Sequence, residues 1–131
     1  QRAKLNQAKE DAEAANKVLE PQKETTSFDE FQKMDIRVGT IIEAEKIKKA
    51  KKLLKLKVDT GIDQRTVVSG IAQFFEPEKL IGQQVSILVN LSPRKMLGIE
   101  SEGMILMAEN SKGELQFVAP QGGSDNGGVI A

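Results

Sequence analysis

The sequence predicts an all-β domain: a five-stranded Greek-key barrel with short helices, preceded by an N-terminal linker helix. Three observations predict it. From Ile36 onward the apolar residues recur with a period of two, which is the strand period. The apolar runs are short and separated by Gly, Pro, Asn and Asp. Three strands, a short helix and two or more further strands follow one another within roughly 100 residues, the order of a small barrel of the OB type, with a β-sandwich as the alternative.

Taken in order, residues 1 to 20 place Leu5, Ala8, Ala12, Ala15 and Leu19 at spacings of three and four, with Lys and Glu between them. That is an amphipathic helix with a thin, mostly alanine stripe, suited to a linker or docking helix more than to a coiled coil. Pro21 and the polar run Gln22–Thr26 end it, so the expected division is a tether over 1–27 and a domain over 28–131. Ser27 and Glu30 read as a capping box opening a short helix that carries Phe31 and Met34 inward. Ile36, Val38, Thr40, Ile42 and Ala44 then share one face of a long first strand, with Gly39 as a bulge or bend. Leu54, Leu56 and Val58 alternate with Lys55, Lys57 and Asp59 in a second strand, and Thr60-Gly61-Ile62-Asp63 turns into a third over Arg65–Ser69. Ile71–Leu80 reads as a short helix with Pro77 near its start. Val85–Leu91 and Met104–Ala108 form strands four and five, Leu115–Val118 adds another, and the end of the chain is Gly-rich.

Nineteen basic residues balance 19 acidic ones, so net charge points to no partner, but its distribution does. Residues 46–57 hold seven lysines (Lys46, Lys48, Lys49, Lys51, Lys52, Lys55 and Lys57) and no acid. In an OB barrel Lys46–Lys52 fall in the loop joining strands one and two, Lys55 and Lys57 face outward, and Arg94-Lys95 lie in the loop before strand five. Those loops and that face are where OB folds bind oligomers, so a polyanion is the expected partner. A solvated lysine-rich loop is the plainer alternative. The chain has five Phe and no Tyr or Trp, and each Phe lies in an apolar or helical context that reads as core. With few rings for stacking, backbone and shape of a folded RNA are the expected features to be read.

Chemistry is sparse. Without His or Cys there is no imidazole base, no Ser-His or Cys-His pair and no zinc site of those ligands, so neither an active site, a metal nor a cofactor is expected. Asp59-Thr60-Gly61 matches the short aspartic-protease signature, yet Lys55 and Lys57 on the same face would keep Asp59 ionised, and a hairpin turn explains the triplet better. Glu76/Glu78 and Glu100/Glu102 read as solvating pairs. No apolar run is long enough to cross a membrane, the lack of Cys suits a reducing compartment, and the cytoplasm is the expected location. The opening Gln1 suggests a piece of a longer chain.

Six segments in order, Met34-Asp35-Ile36-Arg37-Val38-Gly39, Ala50-Lys51-Lys52-Leu53, Val58-Asp59-Thr60-Gly61, Val68-Ser69-Gly70-Ile71, Asn90-Leu91-Ser92-Pro93-Arg94-Lys95 and Ser101-Glu102-Gly103-Met104, resemble the tRNA-binding domain appended to methionyl-tRNA synthetases, a module that also occurs as free-standing tRNA-binding proteins. The resemblance covers nearly all of residues 28–131. It implies an OB fold that forms homodimers, binds tRNA by structure and raises its synthetase's tRNA affinity without catalysis. The helix before it then looks like the connector from the upstream catalytic and anticodon-binding domains. By motif position the family's binding residues map to Arg37, Lys52, Asn90, Arg94, Lys95, Ser101 and Met104, to which the charge pattern adds Lys55 and Lys57. Met104 as core and Ser101 as a turn former are the structural alternatives. Where the family often writes His-Pro and Ala-Asp-Lys-Leu, this chain has Ile47-Lys48 and Ala50-Lys51-Lys52-Leu53, so the first loop should be more positive and more flexible.

Three functions are expected in descending order: a tRNA-binding module, a dimerisation module using edge pairing of Val129 and Ile130 in two copies, and a peptide-binding chaperone on the same barrel.

Overall fold

In the computed structural model the described residues are 20–131, and the linker helix expected over residues 1–20 lies almost wholly outside them. The elements are α1 (Phe28–Gln32), β1 (Ile36–Ile47), β2 (Ala50–Asp59), β3 (Gln64–Ser69), α2 (Pro77–Leu80), β4 (Gln84–Leu88), β5 (Arg94–Met96), β6 (Ile99–Ser101), β7 (Met104–Ile105), β8 (Met107–Glu109), β9 (Leu115–Phe117) and β10 (Val129–Ile130).

The long first strand organises the sheet, whose order is β3-β2-β1-β4-β7 with every pairing antiparallel. The first half of β1, Ile36–Thr40, pairs with β4, and the second half, from Thr40 on, pairs with β2. A strand shared in this way must bend, and two residues account for the bend. The ladder steps from Ile41↔Val58 to Glu43↔Lys57, so Ile42 is the extra residue of a bulge. Gly39 is the second: a Cβ there would come within 2.7 Å of Val58 Cγ1 and 3.1 Å of the Asp59 carbonyl oxygen. The expected face of β1 is therefore corrected. Val38 and Ile41 are buried while Ile42 is only half-buried, because the bulge exchanges inside for outside.

The fifth position of the barrel is filled by β6 and β7, joined through Gly103. Ile105 pairs with Ile87 on β4, and on the other side the Glu102 amide donates to the Thr66 carbonyl at 2.8 Å while the Val68 amide donates to Ser101 Oγ at 3.0 Å. Arg65 adds a staple, donating to Asp63 beside it and to the Val89 and Glu102 carbonyls. These contacts bring β3 back to the far side of the sheet, completing the five-stranded Greek-key OB barrel. Its core is Ile41, Leu54, Leu56, Val58, Val67, Ile71, Leu80, Val85, Ile87, Val89 and Ile105, with Phe75 and Phe117 closing one side at 4.8 Å between ring centres.

Several element boundaries differ from expectation. Strand four ends at Leu88, and strand five is split at Leu106, whose amide turns to the Ser86 carbonyl. Only Pro77–Leu80 of the expected helix is helical, since Ile71–Phe75 is a turn held by the Ile71 carbonyl. Ser27 does cap α1, accepting from the Glu30 amide at 3.1 Å, but α1 buries none of its residues, and Phe31 and Met34 face solvent. A single turn of helix flanked by an exposed tether has no second layer to lie against. The Gly-rich end is used within the chain: β10 pairs with the start of β1, Ile130 opposite Ile36 and Val129 opposite Arg37.

Candidate nucleic-acid interface

The lysine-rich segment is the largest departure from the sequence reading. It is not a flexible loop: β1 runs to Ile47, β2 starts at Ala50, and only Lys48 and Lys49 turn between them. The ladder passes from Lys46↔Leu54 directly to Ile47↔Ala50, so Lys51, Lys52 and Leu53 form a bulge on β2 with no residues opposite. Strand pairing continues to the tip, where Ile47 and Ala50, both half-buried, lie opposite each other. The bulge pushes Lys51 and Lys52 out of the ladder and frees the Lys52 carbonyl, which accepts from the Ala72 amide at 3.1 Å. Lys46, Lys48, Lys49, Lys51 and Lys52 are thereby collected, all exposed, on a hairpin tip of defined shape, and none has an ion pair among the described residues.

Lys55 and Lys57 point out of the core, as their alternation requires, but they do not stand alone. Each faces a glutamate across the ladder, Lys55 opposite Glu45 and Lys57 opposite Glu43, and Lys55 Nζ lies 3.5 Å from Glu45 Oε1. The four charges line an open groove of about 480 Å³ together with Ala44, Leu56, Thr66 and Ile81. The seven-lysine run thus includes two members that face a glutamate across the ladder and a third, Lys46, that lies near Glu76 and Glu78.

Arg94 and Lys95, expected in a loop, form β5 of a tight hairpin with β6. Its two-residue turn is Leu97-Gly98, with φ of 53° and 80°, the left-handed pair of a type I′ turn. Lys95 lies opposite Glu100, whereas Arg94 lies opposite Ser101 and has no acid across from it. The two basic hairpins are linked through one row of residues: Lys55 pairs with Val68, Val68 bonds Ser101, and Ser101 pairs with Arg94.

The remaining family-motif positions are engaged in the fold. Ser101 is 5% exposed and its hydroxyl serves the Val68 amide. Gly103, at φ +145°, passes so close to β4 that a Cβ would sit 2.9 Å from the Leu88 carbonyl oxygen. Asn90 accepts from the Asp35 amide at 2.9 Å and donates to the Lys33 carbonyl, tying α1 to the barrel. Arg37 binds Asp35 through Nε at 2.9 Å, so Arg37 and Asn90 meet through Asp35. Met104 is 47% exposed on the strand opposite Leu88, which removes its reading as core.

Phe28, Phe31 and Phe74 are exposed, so only Phe75 and Phe117 belong to the packed interior. Asp59 caps the Gly61 amide at 2.9 Å inside the β2–β3 turn, the structural role expected of Asp-Thr-Gly there. In the same turn Asp63 is held below the ordinary carboxylate range, chiefly by its hydrogen bond from Arg65 and then by that from Thr60. Among the described residues no group of acidic side chains is arranged to hold a metal ion.

Residues 36–128 match the family described as "Putative tRNA binding domain". The chain belongs to that family. The module is an RNA-binding domain without catalytic function of its own. Its relatives include the methionine–tRNA ligase of Cytophaga hutchinsonii, 59% identical over 97% of this chain, and that of Flavobacterium psychrophilum, 65% identical over 82%. The chain spans only 18% and 16% of those ligases' lengths. Among solved structures it is similar to a MetRS-related protein from Pyrococcus horikoshii, with a TM-score of 0.77 and 40% identity over 83% of this chain and all of that one. A chaperone CsaA from Bacillus anthracis is also similar, with a TM-score of 0.75 and 28% identity over 82% of this chain and all of that one. The chain is thus similar in sequence to one part of much longer ligases and in fold to the whole of two shorter chains.

Proposed function

We propose that this chain is the non-catalytic tRNA-binding module of a methionine–tRNA ligase, acting in the cytoplasm, and that it raises the parent enzyme's affinity for tRNA by gripping the backbone of the folded molecule. The observation that carries the reading is the hairpin tip: five exposed lysines on a paired scaffold, with Arg94 on a second hairpin across the sheet. Cations on a rigid frame read the spacing of phosphates, and hence the shape of a folded RNA. Arg37, Asn90 and Ser101 support this site by holding its frame, while Lys52, Arg94, Lys95 and Met104 present themselves to the ligand, with Lys55 and Lys57 at the groove between them.

Fluorescence anisotropy with folded tRNA, the same tRNA unfolded, and a DNA duplex tests it. Folded tRNA is expected to bind tightest. With roughly four to six phosphate contacts its affinity should fall by about 10²–10³ between 50 and 200 mM salt. Lys52→Ala and Arg94→Ala should each lower the salt slope by about one. Equal weak binding to all three nucleic acids would remove the reading.

A second property is favoured by a specific observation. Phe28, Phe31 and Met34 on and beside α1 are exposed together, with Phe28 at 69%. An apolar face of this kind on a domain with no net charge suits pairing with a second copy. Homodimerisation would place two basic surfaces on one tRNA-binding particle. It would use α1 in place of the edge pairing expected of Val129 and Ile130, which pair with β1 of their own chain.

A further inference from the structure

We propose that Phe74, beside Lys46 and on a turn bonded to the Lys52 backbone, is a stacking site for one unpaired nucleotide of the bound RNA, a contact additional to the phosphate grip on which it rests. The Phe74-Phe75 doublet lies in the turn after β3, and a turn can direct only one of two successive rings inward. Phe75 takes the inner place, packed on Phe117 and against the core. Phe74 is left outside at 44% exposure. The turn is fixed at both ends: the Phe74 and Phe75 amides donate to the Ile71 carbonyl at 3.0 and 3.2 Å, and the Ala72 amide is bonded to Lys52 in the β2 bulge. An exposed ring on a turn held by these backbone hydrogen bonds costs less further entropy when something is laid on it than one on an untethered loop.

The surroundings specify what that is. Phe74 borders a shallow, open depression of about 170 Å³, with Lys46, Ala72, Gln73, Phe75 and Glu76 as its other walls. Lys46 stands on one side, and Lys52 is tied to the turn through its own carbonyl. The aromatic face thus adjoins the most cationic part of the molecule, the combination of ring and lysine that holds single-stranded nucleic acid. Glu76, which also lines the depression, repels phosphate and can accept hydrogen bonds from N–H groups on a base edge. The nucleotide would lie with its backbone toward Lys46 and Lys52, its base on Phe74 and its edge toward Glu76. A paired base cannot be reached in this way, since its faces are covered by its neighbours and its edge by its partner. The ligand is therefore a flipped-out or single-stranded position of the folded tRNA.

The test uses Phe74→Leu, which keeps apolar bulk without a ring, and Phe74→Trp, which keeps the ring and introduces the chain's sole indole. With folded tRNA, Phe74→Leu is expected to weaken binding by about tenfold or more while leaving the salt slope unchanged. Phe74→Trp is expected to retain affinity, and its indole fluorescence should be quenched on binding as a base stacks. A fully double-helical RNA should show neither the loss nor the quenching. Equal affinity of wild type and Phe74→Leu for folded tRNA, or an indole unmoved by saturating tRNA, overturns the stacking site while leaving the phosphate grip intact. Failure of the wild type to prefer folded tRNA overturns both.

Discussion

Ser101 lies where a hydroxyl can serve either the fold or a ligand. It is buried, it accepts from the Val68 amide, and it sits in the row that links the two basic hairpins. Ser101→Ala leaves that amide unpaired in the interior, so it should lower unfolding free energy by about 1–3 kcal/mol, measured by urea denaturation. Under conditions where the variant is folded, tRNA affinity should be retained; weaker binding at unchanged stability would move Ser101 from frame to contact. Asp63 makes a different prediction. Its pKa is lowered in the fold, so its contribution is fully present above the ordinary aspartate range and is lost as pH falls through the lower folded value. Asp63→Asn should therefore be less stable than wild type at neutral pH, with the gap closing on acidification below about pH 4, as urea midpoints at the two pH values would show. A gap independent of pH would mean that the Arg65 pairing does not persist in solution.

At the scale of elements, bulges and short pairings decide the shape more than strand propensity does. The extra residue at Ile42 bends β1 around the barrel, and the three-residue bulge at Lys51–Leu53 presents lysines that a regular ladder would have confronted with β1. At the other end of the chain, β10 covers the outer edge of β1 with only two residues. Deleting Val129–Ala131 should cost about 1–2 kcal/mol in chemical denaturation, through loss of those ladder bonds and the half-buried Ile130. Dimer content should not change, because this strand pairs within its own chain. A dimer that dissociates on truncation would return the interface to the tail.

The whole molecule is electrically neutral, yet its exposed lysines cluster on one hairpin while exposed apolar side chains gather on and beside α1. Attraction for RNA then comes from the local field of the lysine cluster, which salt screens, while self-association draws on apolar area, which salt does not weaken. Light scattering on Phe28→Ser/Phe31→Ser should show a shift from dimer to monomer, with the barrel's circular dichroism unchanged. A wild type that is monomeric at the same concentration would remove the dimer reading, and tRNA binding would then be a property of single domains.

Alternating apolar residues determined the strands and the barrel class by themselves, because burial of one strand face is a local pattern with a period of two. Zero His and Cys determined by themselves which chemistries are absent, and six spaced motifs identified the family. The lysine count was equally visible, whereas its partition was not. Whether Lys55 meets Glu45, or Lys51 leaves the ladder, depends on register, and register is set by bulges and by contacts distant in sequence. The same holds for Phe74 and Phe75, indistinguishable as letters and separated only by which one the core had room to take. The roles of Asn90 and Ser101 as ties of the frame rest on hydrogen bonds to Lys33, Asp35 and Val68, between groups brought together only by barrel closure. Patterns carried by neighbours along the chain are legible in the sequence; pairings made across space are decided by the fold.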